Sequence, residues 1–169
     1  IGNSPYIRIQ SMKEFAPKEV EFYKKAYQSA SKGNYDIYVV FLEKGLGLLH
    51  RNGLLGFILP HKFFQSQFGE PIRNHISNVA SIQELVHFGA EQVFENATTY
   101  TCLLFLTKQP QKNFRYISIR NLAQPDELMS TIAQNLPSDN YNSDLKATPN
   151  KEAEWQFFAN NEDNVLEKL

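Results

Sequence analysis

A chain of 169 residues with 42% apolar and 21% charged side chains has enough material for one domain with a proper core. Seventeen Lys and Arg against 18 Asp and Glu leave a net charge of -1, which excludes an autonomous, strongly basic nucleic-acid binder, though not an enzyme whose DNA grip lies in another domain. The single cysteine, Cys102, excludes an internal disulfide and a cysteine-rich metal site; no apolar run approaches the ~18 residues of a membrane span, so a cytoplasmic protein is expected.

Ile1 opens the chain inside a short apolar segment that reads as the end of a strand, without an initiator methionine, as a piece of a longer protein would. Asn3-Ser4-Pro5-Tyr6 follows at once. Pro5 fixes its own φ and biases Ser4 away from helix, which makes a rigid loop tipped by an aromatic ring. A helix is predicted within Lys13 to Ser31, with Pro17 in its first turn and Ser29 to Asn34 breaking it. From Tyr35 to Leu49, apolar residues at Tyr38, Phe41, Leu42, Leu46 and Leu49 follow helical spacing, and Gly53 marks the stop. Gly45 and Gly47 weaken this helix but let it pack closely on a sheet.

Leu54 to Leu59 is a continuous apolar run ending at Pro60, the pattern of a strand buried on both faces. Ser66 is read as the cap of a helix to about Ser77, with Ile72 and Ile76 inward and Glu70 and Arg73 outward. Ile82 to Phe88, Thr99 to Thr107 and Arg115 to Arg120 read as strands, and Gly89 to Thr98, holding Val93 and Phe94, as the loop between the first two. This order predicts the second half of a three-layer α/β domain whose last strands turn antiparallel. From Gln124 the character changes: Pro125, Pro137 and Pro149 space out a polar stretch, with a short helix near Asp126 to Asn135 and a new element from Trp155.

The chemistry concentrates at the first loop. Asn3-Ser4-Pro5-Tyr6 suits a flat, amine-bearing substrate, because the amide oxygen and nearby carbonyls accept from the amine while the tyrosine stacks on the ring. The same four residues also suit an ordinary strand-to-loop turn. His50, His61, His75 and His87 have no metal-ligand spacing and are assigned structural or solvated roles, and Cys102 is placed in the core.

Taken in order, Gly2 to Arg8, Tyr35 to Leu49, Gly53 to Lys62, and Val93 to Leu106 resemble the N6-adenine-specific DNA methyltransferases of restriction-modification systems, the Asn-Pro-Pro-Tyr family, and within it the fused restriction-methylation enzymes. Ser4 stands where that family has the first of its two prolines. The resemblance implies an α/β fold, the second half of a Rossmann-like S-adenosylmethionine methyltransferase sheet, mixed with late antiparallel strands and with helices on its faces. Residues 1–123 would be the C-terminal half of the catalytic domain, and 124–169 a linker and the start of a target-recognition module.

It further implies S-adenosylmethionine as cofactor, with the main binding loop outside this chain. Double-stranded DNA and the rest of a parent chain are the implied partners, with an endonuclease module as a further candidate. Catalytic roles fall on Asn3, Ser4, Pro5 and Tyr6, and Tyr6 and Phe94 would stack on a flipped adenine. Tyr35, Asp36 and Tyr38 are candidates for the pocket border, against the plainer reading of a helix start. Arg8, Lys62 and Arg73 are candidates for DNA phosphates, against the reading of solvated surface cations. Two other functions stay open: methylation of a protein glutamine, whose enzymes share the loop, and a non-catalytic DNA-binding or assembly segment in which Ser4 marks a decayed site.

Overall fold

The apolar run after Gly53 forms a strand, β2 (Leu54–Pro60), and the three β-rich stretches after it form β3 (Ser81–His87), β4 (Thr101–Thr107) and β5 (Asn113–Ile119). With a two-residue β1 (Gly2–Asn3) and β6 (Tyr141–Ala147), they make one six-stranded sheet in the order β1-β2-β4-β3-β5-β6. The structure is a computed structural model describing residues 1–94, 99–122, 124–149 and 154–157. β1 runs parallel to β2 and β3 parallel to β5, while β4 lies antiparallel between β2 and β3, and β6 antiparallel on β5. The expected mixed sheet is present, but only β4 and β6 reverse direction; β5 does not.

Among the described residues, five α-helices connect or cover the strands: α1 (Ile9–Phe15), α2 (Pro17–Ala26), α3 (Tyr38–Leu48), α4 (Glu70–Val79) and α5 (Pro125–Ala133). α2 begins at Pro17, as the sequence predicted; α1, which it did not predict, ends just before, because the proline ring disfavours helical geometry at the preceding residue, and Ala16 sits at φ -138 and ψ 54. Pairing alternates across the sheet, so Leu55, Phe57 and Leu59 of β2 share one face with Cys102, Leu104 and Leu106 of β4 and Phe114 and Tyr116 of β5. Side chains from α1 to α4 close over that face. Val86, Ile117 and Ile119 point the other way and pack on Leu128 and Ile132 of α5. A register shift between Ile82 and Glu84 lets Ile82 and Leu85, three apart, both enter the first core.

Gly45 does what close packing requires: a Cβ there would stand 3.1 Å from the side chains of Leu55 and Phe57. Gly47 has open space around it, so only one of the pair serves the helix–sheet contact. The polar stretch from residue 124, expected as a linker, instead continues the domain. α5 covers the second face, and β6 pairs along seven positions of β5, from Asn113↔Ala147 to Ile119↔Tyr141. Farther on, Trp155 and Phe157 bury against Phe63, Phe64 and Phe114, with ring centroids 5.2 to 5.8 Å apart. An edge strand can read as polar because only one of its faces meets a core, and these aromatics supply the apolar area that the stretch around them lacks. No helix among the described residues is long and apolar enough to cross a membrane.

Candidate active site

The carboxyl ends of β1, β2 and β3 lie at one end of the sheet, together with the start of the reversed strand β4: Pro60 pairs with Thr101 and His87 with Cys102. In open α/β sheets that end is where ligands bind. A cleft of about 640 Å³ opens there, lined by Tyr6, Arg8 and Asp36 on one side and by Pro60, His61, Lys62, Gln65, Ser66, Thr99 and Tyr100 on the other.

Asn3 pairs with Ile58 of β2, and three residues later the Tyr6 hydroxyl donates to the carbonyl oxygen of that same Ile58 at 3.1 Å. The loop is thus closed at both ends on one residue. Burial pushes the Tyr6 phenol up to about 12, so it stays protonated and keeps donating. Asn3 and Pro5 are exposed, whereas Ser4 is buried and its hydroxyl has no hydrogen-bond partner among the described residues. A proline ring at position 4 would leave no such hydroxyl to satisfy.

Around Tyr6 the structure assembles other aromatics that the sequence singled out. Its ring meets Tyr38 edge-on at 6.3 Å and Phe94 at 6.4 Å and 64°. Tyr38 is fully buried beneath it, and burial raises its hydroxyl well above the ordinary range. Tyr35 is also buried in the core and is not among the cleft residues; its role is packing. Asp36 does border the cleft. Residues 7–9 and 35–37 form a short antiparallel ladder, Ile9 N to Tyr35 O at 3.0 Å and Ile37 N to Ile7 O at 2.9 Å, which sets Arg8 opposite Asp36. Burial raises the Asp36 carboxyl, partly countered by the positive charges of Arg8 and Lys62.

Arg8 and Lys62 are exposed on the cleft wall, as a phosphate contact needs. Arg73 is not. It lies 4% exposed under the loop after β2, with Nη1 donating to the carbonyls of Phe63 at 2.7 Å and Ser66 at 2.8 Å. A guanidinium turned inward on two carbonyls cannot reach a DNA backbone, so the outward reading is corrected. Ser66 is corrected too: its side chain caps no helix but lines the cleft, and a 3-10 turn, Gln67–Gly69, intervenes before α4.

The sequence reading missed His61, Gln65, Thr99 and Tyr100. The available signal was position, directly after a buried parallel strand and directly before its antiparallel neighbour. The His61 ring lies against that of His87, tilted at 58° with centroids 4.5 Å apart, and the Gly89 amide donates to His87 Nδ1 at 3.0 Å. Burial lowers His61 to about 4 and His87 to about 3, so the cleft wall carries a neutral imidazole. No group of three or more metal-ligating side chains occurs among the described residues.

The family model of the Eco57I restriction-modification methylase matches residues 1–94. The chain belongs to that family. Its relatives include the type II restriction enzyme and methyltransferase RM.Eco57I of Escherichia coli, 40% identical over 121 residues, or 72% of this chain and 12% of that one. Another is the type II methyltransferase M.HincII of Haemophilus influenzae, 26% identical over 141 residues, 83% of this chain and 28% of that one. The chain therefore spans less than a third of these relatives. Among solved structures, the DrdV–DNA complex superposes with a TM-score of 0.62 at 17% identity, covering 91% of this chain and 17% of that chain. A type I restriction-modification methyltransferase subunit from Streptococcus thermophilus gives 0.53 at 14% identity, covering 75% and 30%. Those likenesses concern the fold: a Rossmann-like α/β sheet of the methyltransferase kind.

Proposed function

We propose that this chain forms the methyl-acceptor side of the active site of a DNA adenine-N6 methyltransferase from a restriction-modification system. The observation that carries the reading is the Asn3–Tyr6 loop, closed onto Ile58 with the Tyr6 ring in the cleft wall and Phe94 against it. Adenine N6 inside a duplex is closed to a bulky methyl donor, so the base must flip out, which costs a few kcal/mol of unstacking and unpairing. Stacking on Tyr6 offsets roughly 1–3 kcal/mol of that. Phe94 now stands edge-on to Tyr6, so an entering base takes over that contact and leaves Phe94 to pack on it from another side.

Asn3 Oδ1 and the main-chain carbonyl of Ser4 or Pro5 accept the hydrogens of the amine. That shifts the nitrogen toward a tetrahedral, nucleophilic state without a strong general base; positioning and electrostatics carry the step. Tyr6, held protonated, serves as a stacking platform and not as a base. Arg8 and Lys62 take neighbouring phosphates, and Asp36 keeps the two cations oriented.

S-adenosylmethionine is the cofactor this family membership suggests. The described residues do not fit it: Gly45 and Gly47, their Gly-x-Gly, lie inside α3 and not at a strand-to-helix turn, and the cleft's acidic group, Asp36, feels the positive charges of Arg8 and Lys62. The methyl donor is accordingly assigned to residues other than those described. A low net charge and a chain under a third the length of its relatives fit the same picture, with target recognition in a further module and an endonuclease in the same polypeptide, as the name of RM.Eco57I combines.

The test is methyl transfer from labelled S-adenosylmethionine to mixed-sequence DNA by the full-length protein, beside its Asn3→Ala and Tyr6→Ala variants. N6-methyladenine made by the wild type and lost in both variants is the expected result. Label on protein glutamine in place of DNA, or variants as active as wild type, would overturn the reading.

A further inference from the structure

The loop between β2 and α4 supplies half of the cleft: Pro60, His61, Lys62, Gln65 and Ser66. Its main chain is held from behind at three carbonyls. Arg73 Nη1 takes those of Phe63 and Ser66, and the Trp155 amide donates to that of Phe64 at 2.9 Å. The loop also folds tightly on itself, for a Cβ on Gly69 would stand 2.0 Å from the Phe63 oxygen.

A buried guanidinium is a poor choice if stability were all that position 73 supplied. Removing it from water is costly, and an apolar side chain of similar volume often stabilises as well or better. Burial indeed lowers its pKa, with Glu154 and Glu70 acting in the opposite sense. What a planar guanidinium supplies and an apolar residue does not is direction: one Nη1, its two hydrogens held in the plane of the head, fixes two carbonyls three residues apart through hydrogen bonds strengthened by charge.

We infer that Arg73 is a positioning residue of the nucleotide cleft, tying the carbonyls of Phe63 and Ser66 so that Lys62, Gln65 and His61 present one fixed wall to the DNA. The inference rests on the acceptor-site reading above. It assigns Arg73 no contact with substrate, and it moves the effect of the residue from the chemical step to the binding of the extrahelical nucleotide.

The experiment compares full-length wild type with Arg73→Lys, Arg73→Met and, as a reference, Asn3→Ala. It measures kcat and KM for DNA, binding to a duplex carrying 2-aminopurine at the target base, and thermal melting. For Arg73→Lys, which keeps the charge on a shorter side chain without the planar head, KM rises about tenfold, as loss of one charge-assisted hydrogen bond predicts, while kcat stays within about threefold and melting within about 4 °C. Arg73→Met raises KM at least as much, and both variants weaken 2-aminopurine duplex binding. Wild-type KM and binding in both variants, or kcat and binding falling only in proportion to folded protein, overturns the inference. Full methylation by Asn3→Ala instead sinks the acceptor reading, and the Arg73 result is still decided by the binding arm.

Discussion

Acid should weaken this fold through two buried imidazoles. His61 and His87 lie with ring centroids 4.5 Å apart, and burial lowers them to about 4 and about 3, His61 adding to the shift of His87. An unfolded imidazole titrates near ~6.5. Between that value and the folded ones the unfolded chain binds protons the folded chain refuses, so stability is full above about pH 6.5 and falls as pH drops toward the folded pKa values. At about pH 5 each group lies about 1.5 units below its unfolded pKa and still above its folded one, which at about 1.36 kcal/mol per unit is about 2 kcal/mol. His61 faces the cleft and is partly screened, so the pair together accounts for about 3–4 kcal/mol between about pH 8 and about pH 5. Asp36, whose carboxyl is raised by burial, works in the opposite sense, but only nearer the carboxylate range. Urea unfolding at the two pH values measures the drop as a shift in midpoint at constant m. His87→Gln should be flatter by about 2 kcal/mol over that interval. If His87→Gln and His61→Gln both lose as much stability as wild type between the two pH values, the buried-imidazole reasoning is wrong.

Two further substitutions probe the loops that build the cleft. Gly69→Ala places a Cβ 2.0 Å from a backbone oxygen, so main chain must move, at a cost of about 1–3 kcal/mol; an unchanged melting temperature would show that the loop has slack the structure denies it. Tyr6→Phe deletes the 3.1 Å bond to Ile58 O and keeps the ring, so unfolding free energy falls by about 1 kcal/mol while methylation persists. Loss of methylation with the ring still present would assign the hydroxyl a part in the chemistry.

Local signals were strong where the physics is local. The apolar spacing from Tyr38 to Leu49 and the unbroken run from Leu54 to Leu59 located α3 and β2, since helix and strand periodicity depend on near neighbours alone. Composition misled at β6, whose exposed Asn142, Ser143, Asp144 and Leu145 resemble a linker because an edge strand needs few apolar residues. At Arg73 the charge argued for solvent, so the sequence reads the residue as outward beside Glu70, whereas it is buried. Its acceptors, two loop carbonyls seven and ten positions earlier, are invisible to residue type.

The amino-acid sequence by itself determined the loop of Asn3 to Tyr6, the succession of elements from α3 to β5, and the family to which they belong. Tertiary structure alone decided that Tyr6 closes on Ile58, 52 positions away, that His61 lies on His87, and that Lys62 and Arg8 flank one cleft with Asp36 between their charges. Those juxtapositions follow from strand order and register. Both are set by burying two sheet faces at once, a sum over the whole chain that no window of neighbouring residues contains.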